Sequence, residues 1–194
     1  MYSLNKFLSC SYYKNKGFKN ISTLCANLRE AREVTNRHVL NGKKLKNKKH
    51  GSWAGALLYL VLVDNLGFYL YGGNQEKRFI KIFKKFSNLD KNKILAIYSL
   101  RNSLVHSFGL FNKHKDSKKT HIFKLTDGSI IKTEVILPES NWNGGFADVT
   151  EEMFTYINVE LLGDLVEDIW LKVRDKVVSR EIVPKGKRWV ISFR

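Results

Sequence analysis

The sequence predicts a mostly α fold, a helical bundle of four to five helices with a small β-hairpin inserted at about residues 120–137. Three observations carry the helical prediction. Apolar residues recur at helical spacing through most of the chain. Those stretches are bounded by capping residues and glycines, with only two prolines in 194 residues. The apolar period shortens to two only between His121 and Ile136. With 43% apolar and 12% aromatic residues, the chain can bury one substantial core, and no repeat or linker divides it, so a single domain over 1–194 is expected.

The first helix is predicted from Ser22 to Leu40, where Leu24, Leu28, Ala31, Val34 and Val39 form one stripe and Asn41-Gly42 supplies a stop. Trp53 to Tyr71 is apolar on nearly every side and ends at Gly72-Gly73, as a central helix would. It meets Asp64 and Asn65 well short of the roughly 20 apolar residues a membrane span requires. Gln75 to Phe86 sets Phe79, Ile80, Ile82, Phe83 and Phe86 against Lys77, Lys81, Lys84 and Lys85, an amphipathic third helix. Asp90 is a natural N-cap for a fourth, whose inward stripe is Ile94, Ile97, Tyr98, Leu104, Val105 and Phe108.

Around Asp127-Gly128, the β-type runs His121–Thr126 and Ile130–Ile136 predict a hairpin. Asp148 and Glu151 resemble a capping box, and Phe154, Ile157, Leu161, Leu165 and Ile169 predict one long helix reaching Ser179. The tail from Trp189 to Phe193 is expected to add a third strand to the hairpin.

Charge divides the chain unevenly. Thirty-four Lys and Arg stand against 18 Asp and Glu, a formal charge of +16 that favours a polyanionic partner. Residues 1–145 carry 26 basic and 9 acidic side chains, whereas 146–194 carry 8 and 9. Two loop-like blocks concentrate the excess: Lys43, Lys44, Lys46, Lys48 and Lys49, then Lys113 and Lys115 within 113–119. They read either as solvated loops or as a phosphate-contacting rim. Tyr12-Tyr13 beside Lys14 and Lys16 is a weaker candidate for base stacking.

Two cysteines, Cys10 and Cys25, supply no disulfide framework and point to a reducing, cytoplasmic address. The N-terminal segment has no uninterrupted apolar run of the signal-peptide kind. His38, His50, His114 and His121 have no ligand spacing, so no metal is expected. Phosphate-loop, dinucleotide-loop and nucleophile-elbow motifs are missing, and no cofactor is expected.

One constellation carries chemistry. Arg101 falls on the inward stripe of the fourth helix, where an unpaired guanidinium would cost several kcal/mol. Either an acid inside the bundle compensates it, with Asp64 the obvious choice, or that face opens onto a partner subunit or an anionic ligand. Asn102 and His106 share a helix face one turn apart, and a long arginine can span the roughly 140° between Arg101 and His106. Histidine can exchange a proton with a ribose 2′-hydroxyl or a leaving oxygen. Arginine can hold a developing phosphorane charge, and asparagine can orient either.

Arg101-Asn102-x-x-x-His106 resembles the R-polar-x-x-x-H motif of the HEPN superfamily (higher eukaryotes and prokaryotes nucleotide-binding). The resemblance covers roughly residues 20–110 and the long helix after Thr150, and makes the hairpin a lineage-specific insertion. It implies a metal-independent endoribonuclease acting in toxin–antitoxin or defence systems. A symmetric homodimer would join two motifs in one cleft and leave a 2′,3′-cyclic phosphate and a 5′-hydroxyl. It also implies a supporting polar residue on the preceding long helix, matched by Asp64 or Asn65. RNA is the expected substrate, and an antitoxin or defence-system protein a possible partner. Two other readings stay open: a HEPN-like module that binds RNA, nucleotide or protein without cleaving, and an unrelated bundle whose lysine loops hold nucleic acid.

Overall fold

The computed structural model describes residues 8–15, 18–106, 109–112, 120–185 and 190–193. Within them lie five α-helices and two small sheets. The helices are α1 (Thr23–Val34), α2 (Trp53–Tyr71), α3 (Gln75–Phe86), α4 (Lys91–His106) and α5 (Val159–Val178). The strands are β1 (Tyr13–Asn15), β2 (Phe18–Ser22), β3 (Phe111–Asn112), β4 (His121–Thr126), β5 (Val135–Ile136), β6 (Phe154–Asn158) and β7 (Val190–Phe193). The protein is mostly α with some strand.

Helix α2 packs against all four other helices, which explains its apolar circumference. Tyr59, Leu60, Leu62, Val63 and Leu66 are fully buried there, beside Phe79 and Phe83 of α3, Ile97 and Leu100 of α4, and Trp170 of α5. Burial of each such side chain contributes about 1.5–3 kcal/mol. Although α2 is long and apolar enough to cross a membrane, 61% of its apolar window is buried inside the protein. Its composition is that of a core helix.

Side chains cap these helices, and the sequence marks Asp90 among the caps. Ser22 accepts the Cys25 N–H at 3.1 Å, Ser52 the Gly55 N–H at 2.9 Å, and Asp90 the Lys93 N–H at 3.0 Å. Helix α1 nevertheless stops at Val34 rather than Leu40. Thr35 turns its hydroxyl back to the Ala31 carbonyl at 2.6 Å, and Asn36 takes φ 52°. Residues 36–45 then fold on themselves, with the His38 N–H on the Lys43 carbonyl and the Leu45 N–H on the Asn36 carbonyl. Long-range ion pairs to α5 hold that loop and override the local helical pattern.

The β segments depart further from expectation. β4 and β5 do not pair as a hairpin, because β6 lies between them in a sheet of order β3-β4-β6-β5. β4 and β6 are parallel, Ile122 opposite Phe154 and Thr126 opposite Asn158. β5 runs antiparallel to β6, Val135 opposite Ile157. Asp127-Gly128 does turn the chain, with the Ser129 N–H on Asp127 Oδ1, but Ile130 points outward at 68% exposure.

Phe154–Asn158 is therefore a strand, not the first turns of a long helix. Its aromatic and β-branched residues suit a pleated surface, and Thr155, Ile157 and Asn158 are buried. The capping box at Asp148–Glu151 does not start α5. Asn158 does, its Oδ1 accepting the Glu160 and Leu161 N–H groups at 3.1 and 3.0 Å. The C-terminal strand β7 joins β2 rather than the predicted hairpin, forming a sheet of order β1-β2-β7 with Ile21 opposite Ile191.

Candidate functional site

The inward stripe of α4 buries Ile94, Ile97, Leu100 and Leu104, and Arg101 is buried among them at 6% exposure. Asp64, projecting from the middle of α2 at 7% exposure, meets it. Arg101 Nη2 donates to Asp64 Oδ2 at 2.6 Å. Arg101 Nη1 points the other way, donating to Asn102 Oδ1 at 3.1 Å and lying 3.4 Å from His106 Nε2. That contact is a hydrogen bond when Nε2 carries no proton. His106 is exposed at the last position of α4, so the cluster runs from a buried carboxylate outward to a solvent-facing imidazole.

Two residues that the sequence did not single out complete the cluster. Both come from the start of α3. Arg78 Nη2 donates to Asp64 Oδ1 at 3.2 Å, and Gln75 Nε2 donates to Asp64 Oδ2. Arg78 also holds the Gly73 carbonyl at 2.8 Å and stacks its guanidinium 5.1 Å over the Phe68 ring. The available signal was an arginine among lysines at the edge of the apolar stripe of α3. Asp64 thus faces two guanidiniums with one negative charge, and the Nε atoms of both arginines are buried without a hydrogen-bond partner. The cluster carries surplus positive charge where a phosphate would be attracted.

Asn65 does not join it. It is exposed on α2 and takes part in none of these hydrogen bonds. Lys113 and Lys115 lie outside the described residues, as do Phe108 and Trp189.

The first lysine block sits elsewhere. Lys48 and Lys49 line a cavity of about 500 Å³ with Lys132, Asp127 and Glu160, beside the N-termini of α2 and α5. Asp64 is about 17 Å further along the α2 axis. Lys44 is committed to Glu160 at 2.6 Å and Asp164 at 2.8 Å, whereas Lys43 and Lys46 are exposed. Tyr12 is 47% exposed with Arg29 4.9 Å over its ring.

A second buried arginine shows what a purely structural pair looks like in this chain. Arg32 donates through Nε and Nη2 to both Glu167 oxygens at 2.9 and 2.7 Å, and through Nη1 to the Val39 carbonyl at 3.0 Å and Cys10 Sγ at 3.3 Å. Burial works against its charge, and the paired Glu167 carboxylate more than offsets this, so the guanidinium stays protonated. Tyr59 donates to Glu167 Oε1 at 2.9 Å, and its burial pushes the phenol well above the usual range. Every nitrogen of Arg32 is used inside the protein. Arg101 instead turns one edge of its guanidinium toward an exposed histidine.

Comparison of the chain with family models, curated proteins and solved structures gives no match.

Proposed function

We propose that the protein is a metal-independent endoribonuclease of the HEPN type, working as a homodimer in the cytoplasm as a toxin or defence effector. The single observation that carries this reading is the divided Arg101 guanidinium, anchored on Asp64 through Nη2 and directed at Asn102 and His106 through Nη1. A fixed guanidinium edge beside an exposed imidazole is the minimum equipment for transesterification of RNA. One imidazole accepts the 2′-hydroxyl proton as that oxygen attacks phosphorus. The P–O5′ bond breaks, and the 5′ oxygen receives a proton from an imidazolium. Arg101 stabilises charge on the non-bridging phosphate oxygens, and Asn102 holds the guanidinium in line. Because each chain offers one His106, a two-fold cleft with a second copy supplies the second proton-transfer group. Asp64 is a positioning residue, acting through Arg101. Lys43, Lys46, Lys48 and Lys49 offer phosphate contacts at the far end of α2.

The test is cleavage of single-stranded RNA in excess EDTA by the purified chain. His106→Ala is expected to lose most activity and to melt near the wild type, since His106 is exposed. Light scattering should show a dimer at micromolar concentration. A folded dimer that cleaves no RNA pool, with or without metal, would sink the catalytic reading. The non-cleaving module has one observation in its favour: the Arg101 side chain is only 7% exposed and paired with an acid, as a structural tie would be.

A further inference from the structure

The outer face of α3 is a basic stripe that starts at the Arg101 cluster. Lys77, Arg78, Lys81, Lys84 and Lys85 fall within an arc of about 120° around the helix, opposite buried Phe79, Ile82, Phe83 and Phe86. The four lysines are exposed. Glu76, on another side, is the sole acid of this helix. Among the described residues no ion pair forms with Lys77, Lys81, Lys84 or Lys85; Glu181, which Lys176 holds at 2.8 Å, is the acid that Lys85 feels at longer range.

Lys84 and Lys85, in the last turn, complement the helix dipole, but the rest of the pattern works against the helix that carries it. Lys77–Lys81 and Lys81–Lys85 are like-charge pairs at i,i+4, and Lys77 stands in the first turn, where the helix dipole disfavours a cation. Amphipathicity explains why the face is polar; it does not explain why it is almost exclusively positive. The stripe is contiguous with the candidate site, because Arg78 belongs to both, holding Asp64 with one side of its guanidinium. From Lys77 to Lys85 it extends about 12 Å along the axis. Lys81 lies 4.2 Å over the Tyr71 ring, which fixes its position within the stripe. The lysine loop at 43–49 stands apart from Asp64; its Lys44 is paired with Glu160 and Asp164, and Lys48 and Lys49 share a cavity with Asp127 and Glu160.

We propose that the outer face of α3, through Lys77, Lys81, Lys84 and Lys85, is the track that binds the phosphate backbone of a single-stranded RNA and delivers it past Arg78 to Arg101 and His106. The track rests on the reading of that cluster as the RNA site. It contributes affinity without base selection, because lysines are point charges that contact phosphate.

The experiment compares the full-length wild type with Lys77→Gln/Lys81→Gln/Lys84→Gln and with the corresponding triple arginine variant, using a short single-stranded RNA over a salt series. Loss of three phosphate contacts should reduce the slope of log affinity against log salt by about 2, which weakens binding roughly 100-fold near 0.1 M salt and little near 1 M. The arginine variant should retain the wild-type slope. If the chain cleaves RNA, the glutamine variant should raise KM with kcat unchanged. An unchanged affinity and slope in a folded glutamine variant overturns the track, even where cleavage is normal. A variant that loses binding to phosphatidylserine vesicles while keeping its RNA slope overturns it too, and makes the face a membrane surface. A slope change in a chain that cleaves nothing leaves the track standing and removes the ribonuclease reading instead.

Discussion

Asp64 Oδ2 and Arg101 Nη2 lie 2.6 Å apart in the protein interior, and this one contact ties α2 to the face of α4 that ends in His106. The same carboxylate receives Arg78 at 3.2 Å, so it neutralises one of two guanidiniums and leaves the other to find a counter-charge.

An ordering of stabilities follows for this pair. Asp64→Ala leaves two nearly buried guanidiniums facing each other and should cost about 3–5 kcal/mol. Arg101→Ala should cost less, because Asp64 keeps Arg78 and Gln75. Chemical denaturation of the two variants reads the difference directly. The reverse order would mean that Arg78 does not hold Asp64.

The Arg32–Glu167 pair should separate stability from activity. Glu167→Ala strands a buried guanidinium and is expected to cost about 3–5 kcal/mol, with kcat unaffected at temperatures where the variant is folded. Gly42→Ala should act through the same carboxylate. Its φ is +73°, and a Cβ there would lie 2.5 Å from Glu167 Oε2. The two substitutions should therefore be non-additive, and a double-mutant cycle in urea with no coupling would refute the contact.

Asn158 is the joint between sheet and helix. Its Oδ1 caps α5 and its Nδ2 donates to the Ile131 carbonyl at 2.8 Å, with the Asn158 side chain itself fully buried. Asn158→Ala is expected to cost about 1–3 kcal/mol from the lost cap and the orphaned buried groups. Asn158→Asp keeps the cap but loses the donor, so its melting temperature should fall between that of alanine and the wild type.

The lysine loop offers a graded control for the electrostatics. Neutralising Lys46, Lys48 and Lys49 together should change the salt slope of RNA binding by less than the α3 triple does, since Lys48 and Lys49 face Asp127 and Glu160. Each phosphate contact they do make is worth about 0.7 of slope for a single strand. A larger effect from the loop than from α3 would move the main RNA path to the N-terminal end of α2.

Much of the helical part was legible in the sequence because a helix is specified locally. The stripes of α2, α3 and α4, and the cap Asp90, depend on residues within a few positions of one another. The pairing of Arg101 with Asp64 was legible for a related reason: a guanidinium on an apolar stripe requires an acid, and α2 carries only one. Tertiary structure decided the rest. Phe154–Ile157 fits a helical spacing as well as a strand, and only the open edge of β4 selects the strand. Parallel pairing of β4 with β6 joins segments far apart in the chain, and no turn residue encodes it. The stop of α1 at Val34 is imposed by Arg32 and Arg37 reaching Glu167 and Asp164 on α5. Arg78 enters the site for the same kind of reason, since a buried carboxylate draws whichever donors the packing of α3 brings within reach. Residue type and period determined which segments are helices and which side chain had to be neutralised; long-range packing chose the strand partners and the residues that share Asp64.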